Sequence, residues 1–183
     1  RDLHSFPTRR SSDLAINIDM LSCSAHKIGG PKGIGALYCR EGIDLVPLIH
    51  GGGQEGGLRA GTENVPAIVG FGKAAEIAKE TLEANCREEL RLTRLLMDLI
   101  NDEIHWIHFN GPNIGDRRLT NNVNISIDNV RGEELQMLLN LNGVYVSTGS
   151  ACNSGDHNPS HVLKAIGLSD ETANSSIRIT VNG

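Results

Sequence analysis

A few short segments hold residues whose types and spacing can do chemistry. The first is Ser24-Ala25-His26-Lys27, which follows an apolar run and precedes the glycine-rich stretch IGGPKGIG. A lysine at a strand end can form a Schiff base with a carbonyl compound once it loses its proton, and partial burial favours that loss. Serine and histidine side chains can donate to a phosphate, and glycines leave backbone N–H groups open to one. On spacing alone, a solvated lysine beside a structural histidine is the simpler reading. GGPKGIG (29–35) is neither a Walker A loop, because Lys32 is followed by Gly33, nor a GxGxxG fingerprint. Its plain reading is a turn between two strands.

The second segment is Arg59-Ala60-Gly61-Thr62, after the loop GGGQEGG. Thr62 could bind a phosphate or cap the helix that opens near Pro66. The third is Gly149-Ser150-Ala151-Cys152-Asn153-Ser154-Gly155. Small polar neighbours suit an exposed loop cysteine, and an exposed thiol is a nucleophile once its pKa is lowered. An incidental loop cysteine fits the same text. Cys152, His157 and His161 could be counted as zinc ligands, but Pro159 separates the histidines and no fourth ligand lies nearby, so no metal is expected. His105 and His108 read as ordinary strand or turn residues. Arg178 lies inside SIRITV, where a guanidinium needs an anionic partner or an edge that faces water. Its planar fork suits a carboxylate.

The elements that must position these residues alternate. INIDMLSC (16–23) and ALYC (36–39) read as strands around the glycine-rich run. From Pro66, apolar residues from Val69 to Ile100 recur at helical spacing and predict a helix or helix pair ending near Asn101. WIHF (106–109), NVNISI (122–127), VYVST (144–148) and SIRITV (176–181) read as strands. GEELQMLLNLNG (132–143), capped by Gly143, and SHVLKAIG (160–167) read as helices. Strands alternating with helices imply an α/β chain.

Composition narrows the function. The chain has 183 residues, enough for a core without disulfides, and 21 of them are glycine. A net charge of −5 argues against a nucleic-acid protein held by a basic face. No apolar run approaches a membrane span. Cys23, Cys39, Cys86 and Cys152 form no CxxC pair, which points to a reducing, cytoplasmic setting. RDLHSFPTRRSSDL (1–14) has no apolar period and reads as a non-native arm.

Four stretches occur in the order found in the cysteine desulfurases: IDMLSCSAHKIGGPKGIGALY, GGGQEGGLRAGTENVPAIVGFGKA, STGSACNSGDHNPSHVLKAIGL and SSIRIT. The chain resembles these pyridoxal 5'-phosphate enzymes of the class V aminotransferase group from residue 15 to 183. The resemblance implies part of a fold type I transferase. Residues 15–104 would be the C-terminal part of the large cofactor domain with a long connecting helix. Residues 105–183 would be a small α/β domain carrying the cysteine loop. Lys27 resembles the lysine that carries the cofactor, and Ser24 and His26 resemble ligands of its phosphate. Thr62 resembles the phosphate contact that reaches into the partner subunit's site, which implies a homodimer. Cys152 resembles the cysteine that takes sulfur from L-cysteine as a persulfide and leaves L-alanine. Arg178 resembles the arginine that holds the substrate carboxylate.

The Cys152 loop resembles the longer kind found in desulfurases that feed iron–sulfur scaffold proteins. Selenocysteine lyase or cysteine-sulfinate desulfinase activity is the neighbouring alternative, and an inactive sulfur-carrier or interaction module is a third. Family members are roughly twice as long, near the scale of two domains. The histidine that stacks on the cofactor ring and the aspartate that pairs with its nitrogen have no counterpart in this text. The chain by itself is therefore expected to lack activity and to expose apolar strands.

Overall fold

The computed structural model describes residues 18–115, 117–148 and 158–182. The chain forms two compact units, one running up to Glu83 and the other starting at Ala84. The division falls within the long helix, whereas the sequence pattern places a boundary at that helix's end.

The first unit is built on a hairpin. β1 (Met20–Ser24) and β2 (Gly35–Cys39) pair antiparallel, from Met20 opposite Cys39 to Ser24 opposite Gly35. A single 3-10 turn, Ala25–Ile28, follows β1 directly. Gly29 closes it at φ 79, a left-handed conformation that glycine adopts freely. The Ala25 N–H donates to the Ile34 carbonyl at 3.0 Å, so the turn is pinned to the far side of the loop. Gly35 is required by approach rather than by angle. A Cβ there would lie 2.5 Å from the Cys23 carbonyl oxygen. The glycine-rich text is thus a turn between two strands, as its plain reading has it.

α1 (Val65–Glu103) is one continuous helix of 39 residues. Asn64 starts it: its Oδ1 accepts from the Ala67 N–H at 3.3 Å, and its carbonyl accepts from Ile68 at 3.0 Å. Pro66 in the first turn leaves no N–H without a partner. The cap is therefore Asn64, and the alternative that Thr62 caps this helix is corrected. Near its start the helix lies close on the loop, where a Cβ on Gly70 would meet Pro31 Cγ at 2.7 Å.

The second unit is a three-stranded antiparallel sheet, ordered β3 (Ile107–Phe109), β4 (Asn122–Ile127), β5 (Ser176–Thr180). The register pairs Ile125 with Ile177 and Val123 with Ile179, so one face is continuous aliphatic surface. Val123, Ile125, Ile127 and Ile177 are its buried centre. Leu96, Met97 and Ile100 of α1 pack on it, as do Leu135 and Leu139 of α2 (Gly132–Leu141). The opposite face carries His108, Asn124, Ser126, Ser176 and Arg178.

α2 ends as expected at Gly143, which takes φ 78. The Gly143 N–H donates to Asn140 and the Val144 N–H to Leu139, the Schellman arrangement. That ending also decides the next segment. VYVST (144–148) alternates like a strand but is not one, and only Ser147 bridges Arg178. The Val144 N–H is committed to α2, and the Val146 carbonyl accepts from Gln136 Nε2 at 3.0 Å. Two of the backbone groups that a longer ladder would use are thus bonded to α2.

α3 (His161–Ala165) follows Pro159, and α4 (Asp170–Asn174) precedes β5. α4 has no counterpart in the sequence reading. Its signal is Ser169, whose hydroxyl accepts from the Thr172 N–H. At the start of α2, a Cβ on Gly132 would stand 2.6 Å from the Ser176 carbonyl and 3.0 Å from that of Asn174. Both are backbone atoms, one at the end of α4 and one at the start of β5. Gly132→Ala is expected to cost about 1–3 kcal/mol, read as a fall in the thermal midpoint. An unchanged midpoint would show that α2 can move away from β5 without loss.

Candidate functional site

Ser24, His26 and Lys27 come together because β1 runs straight into a 3-10 turn. Ser24 is half-buried at the strand end, and His26 and Lys27 are exposed on the turn. The turn makes no use of the Ser24 hydroxyl as a cap. Among the described residues, neither His26 nor Lys27 has an ion-pair or hydrogen-bond partner. A hydroxyl, an imidazole and an amine thus stand at one strand end with no internal acceptor. The adjoining turn ends in Gly29 and Gly33, both at positive φ, where a Cβ would meet nothing within 4 Å. This donor set fits a phosphate ester carrying a carbonyl group, as pyridoxal phosphate does.

Thr62 belongs to the same unit and is exposed. The loop before it is shaped by its own contacts: Gln54 Oε1 accepts from the Gly61 N–H at 3.1 Å, and Arg59 Nη1 donates to the Ala60 carbonyl at 3.1 Å. With Asn64 as the cap, the Thr62 hydroxyl is left for an external acceptor.

Arg178 belongs to the second unit. It is half-buried on the polar face of β5, opposite Asn124 of β4, and its backbone also bridges Ser147. It is therefore flanked on both sides and is not an edge residue. No carboxylate among the described residues pairs with its guanidinium. Cys152 and His157 lie outside the described residues. His161 opens α3, and among the described residues no cluster of His, Cys, Asp or Glu could hold a metal ion. His108 Nε2 lies 3.4 Å from Asp128 Oδ1 on the exposed end of β3.

The pattern of residue types gives no sign of the buried polar group on the same sheet face as Arg178. Asn110 Nδ2 donates to Asn124 Oδ1 and Ser126 Oγ, each at 2.7 Å. Ser126 Oγ and Ser176 Oγ are 2.9 Å apart, and Ser176 Oγ donates to the Thr172 carbonyl at 2.7 Å. Arg118 steadies Asn110 from behind, donating from Nη2 to its carbonyl at 2.7 Å. Burial pulls the Arg118 pKa below its ordinary value.

The site and fold define a class. The Aminotransferase class-V family model matches residues 6–181, and the chain belongs to that family. Its relatives narrow the comparison. Cysteine desulfurase IscS of Clostridium botulinum is 49% identical over 91% of this chain and 42% of its own length. Cysteine desulfurase IscS of Methanosarcina thermophila is 50% identical over 91% of this chain and 40% of its own length. A solved NIFS-like protein superposes with a TM-score of 0.77 at 42% identity, covering 91% of this chain and 42% of its own. A NifS-like protein from Rickettsia africae gives 0.80 at 32% identity, covering 92% of this chain and 43% of its own. The chain thus has the mixed helix and sheet fold of part of a NifS-like, pyridoxal-phosphate-dependent enzyme. It spans about two fifths of the length of the curated relatives it matches. Among the described residues, no helix is long and apolar enough to cross a membrane.

Proposed function

We propose that this chain is the part of a cysteine desulfurase that carries the cofactor lysine and the sulfur-accepting cysteine. The observation that carries the reading is the Ser24–His26–Lys27 donor cluster, free of internal acceptors, in a chain half identical to proteins named cysteine desulfurase. Pyridoxal phosphate, when bound, supplies an electron sink that makes bonds at the substrate's α and β carbons labile. Ser24, His26 and Thr62 would hold its phosphate, Thr62 from the partner subunit of a homodimer. Lys27 Nζ would anchor the group, and its amine would move protons at the substrate carbons.

Arg178 receives the carboxylate of L-cysteine. The Cys152 thiolate bonds to the substrate sulfur, and the substrate C–S bond breaks with its electron pair going to carbon. That carbon takes up a proton, so the products are L-alanine and a persulfide on Cys152. The persulfide sulfur then passes to an acceptor, such as an iron–sulfur scaffold protein, in the cytoplasm.

The exposure of Val46 (90%) and Leu48 (92%) supports the view that further protein covers the first unit in the active enzyme. The test is made on the full-length gene product that contains this chain, loaded with pyridoxal phosphate. L-Alanine release from L-cysteine, equal in amount to persulfide formed, is the expected result. Release only from selenocysteine or cysteine sulfinate would move the protein to the neighbouring lyase or desulfinase activity.

A further inference from the structure

The hydrogen-bond chain on the sheet face of Arg178 has a direction, and the direction assigns a job to Asn124. The chain ends on the Thr172 carbonyl, which can only accept, so the Ser176 hydroxyl donates to it. Ser176 Oγ must then accept from the Ser126 hydroxyl, 2.9 Å away. Ser126 Oγ in turn accepts from Asn110 Nδ2 at 2.7 Å. Asn110 therefore presents its amide nitrogen to this side and not its oxygen. The Asn124 atom 2.7 Å from that nitrogen has to be the acceptor Oδ1.

The Asn124 carboxamide is thus locked one way round, with its Nδ2 protons aimed away from the network. Among the described residues these protons have no acceptor. Asn124 and Arg178 are direct cross-strand partners on the same face, where Cβ atoms stand about 4.5–5.5 Å apart. A locked amide donor and a guanidinium stand on neighbouring strands of one face, and among the described residues no carboxylate pairs with either. Such a pair selects an anion with two acceptor oxygens.

We propose that Asn124 is a second carboxylate-binding residue, donating from Nδ2 to the same substrate carboxylate that Arg178 receives. The inference rests on the reading of Arg178 proposed above. It makes the Thr172–Ser176–Ser126–Asn110 relay a positioning device for a donor, in addition to a brace between β4, β5 and α4.

Asn124→Asp separates these roles. The aspartate still accepts from Asn110, so the relay keeps its terminus, but it removes the donor and sets a carboxylate beside Arg178. In the full-length, cofactor-loaded enzyme the expected result is a KM for L-cysteine raised about tenfold or more, with kcat within about twofold. Thermal midpoint and cofactor loading are measured alongside. Asn124→Ala is the second variant, expected to raise KM about fivefold, and it carries the test if Asn124→Asp does not load cofactor.

Arg178→Ala is the reference. If Arg178→Ala raises KM while both Asn124 variants leave it unchanged, Asn124 has only a bracing role and the proposal is overturned. If Arg178→Ala itself leaves KM unchanged, the reading of Arg178 fails and this inference fails with it, a result distinct from the first.

Discussion

Lys27→Ala is expected to abolish cofactor-dependent turnover in the full-length enzyme, lowering L-alanine formation by about 10³-fold or more. In the proposed reading the amine has two duties at one place, holding the cofactor and moving protons. The other lysines of the chain are Lys32, Lys73, Lys79 and Lys164. Lys73 is paired with Glu76 and Lys164 with Asp170. Only Lys27 sits on the 3-10 turn that β1 feeds directly, next to Ser24, whose hydroxyl makes no cap bond. Because Lys27 is exposed, its removal leaves no cavity, and the thermal midpoint of the protein without cofactor should stay the same. A loss of activity together with a large loss of stability would point to a structural role.

The second large effect is expected at Cys152. Cys152→Ala should leave cofactor binding intact and remove persulfide formation, with L-alanine release from L-cysteine down on the order of 10³-fold. The thiol is asked for one step only, the formation of a bond to the substrate sulfur. A variant without it should still bind L-cysteine, and substrates whose leaving group departs without thiol attack should be spared. Equal loss on cysteine sulfinate and on L-cysteine would mean that the residue supports the loop and does not act as nucleophile.

Much of this was legible in the sequence because local patterns were strong. NVNISI has the alternation of a half-buried strand, and β4 occupies those same residues. Gly143 marked the end of α2 because a left-handed residue after a helix is most easily glycine. SAHK could be placed at a strand end from the apolar run before it. VYVST misled for a physical reason: alternation reports which side chains face inward, while strand formation needs free backbone groups, and α2 had claimed them. The Thr62 cap failed because two residues near Pro66 had capping chemistry and only geometry selected Asn64.

The Asn110 relay had no local signature. It joins Asn110 to residues 14, 16 and 66 positions away, and only the register of the sheet brings them together. α4 was missed because five residues are too few for a periodic signal.

The most direct test of the central claim is to locate the cofactor's attachment. The full-length protein is incubated with pyridoxal phosphate, reduced with borohydride and digested, and the pyridoxyl-bearing peptide is identified by mass. A single stoichiometric label on Lys27, lost in Lys27→Ala, is the predicted result. Label spread over Lys32, Lys79 and other exposed lysines, or no label at all, would contradict the account.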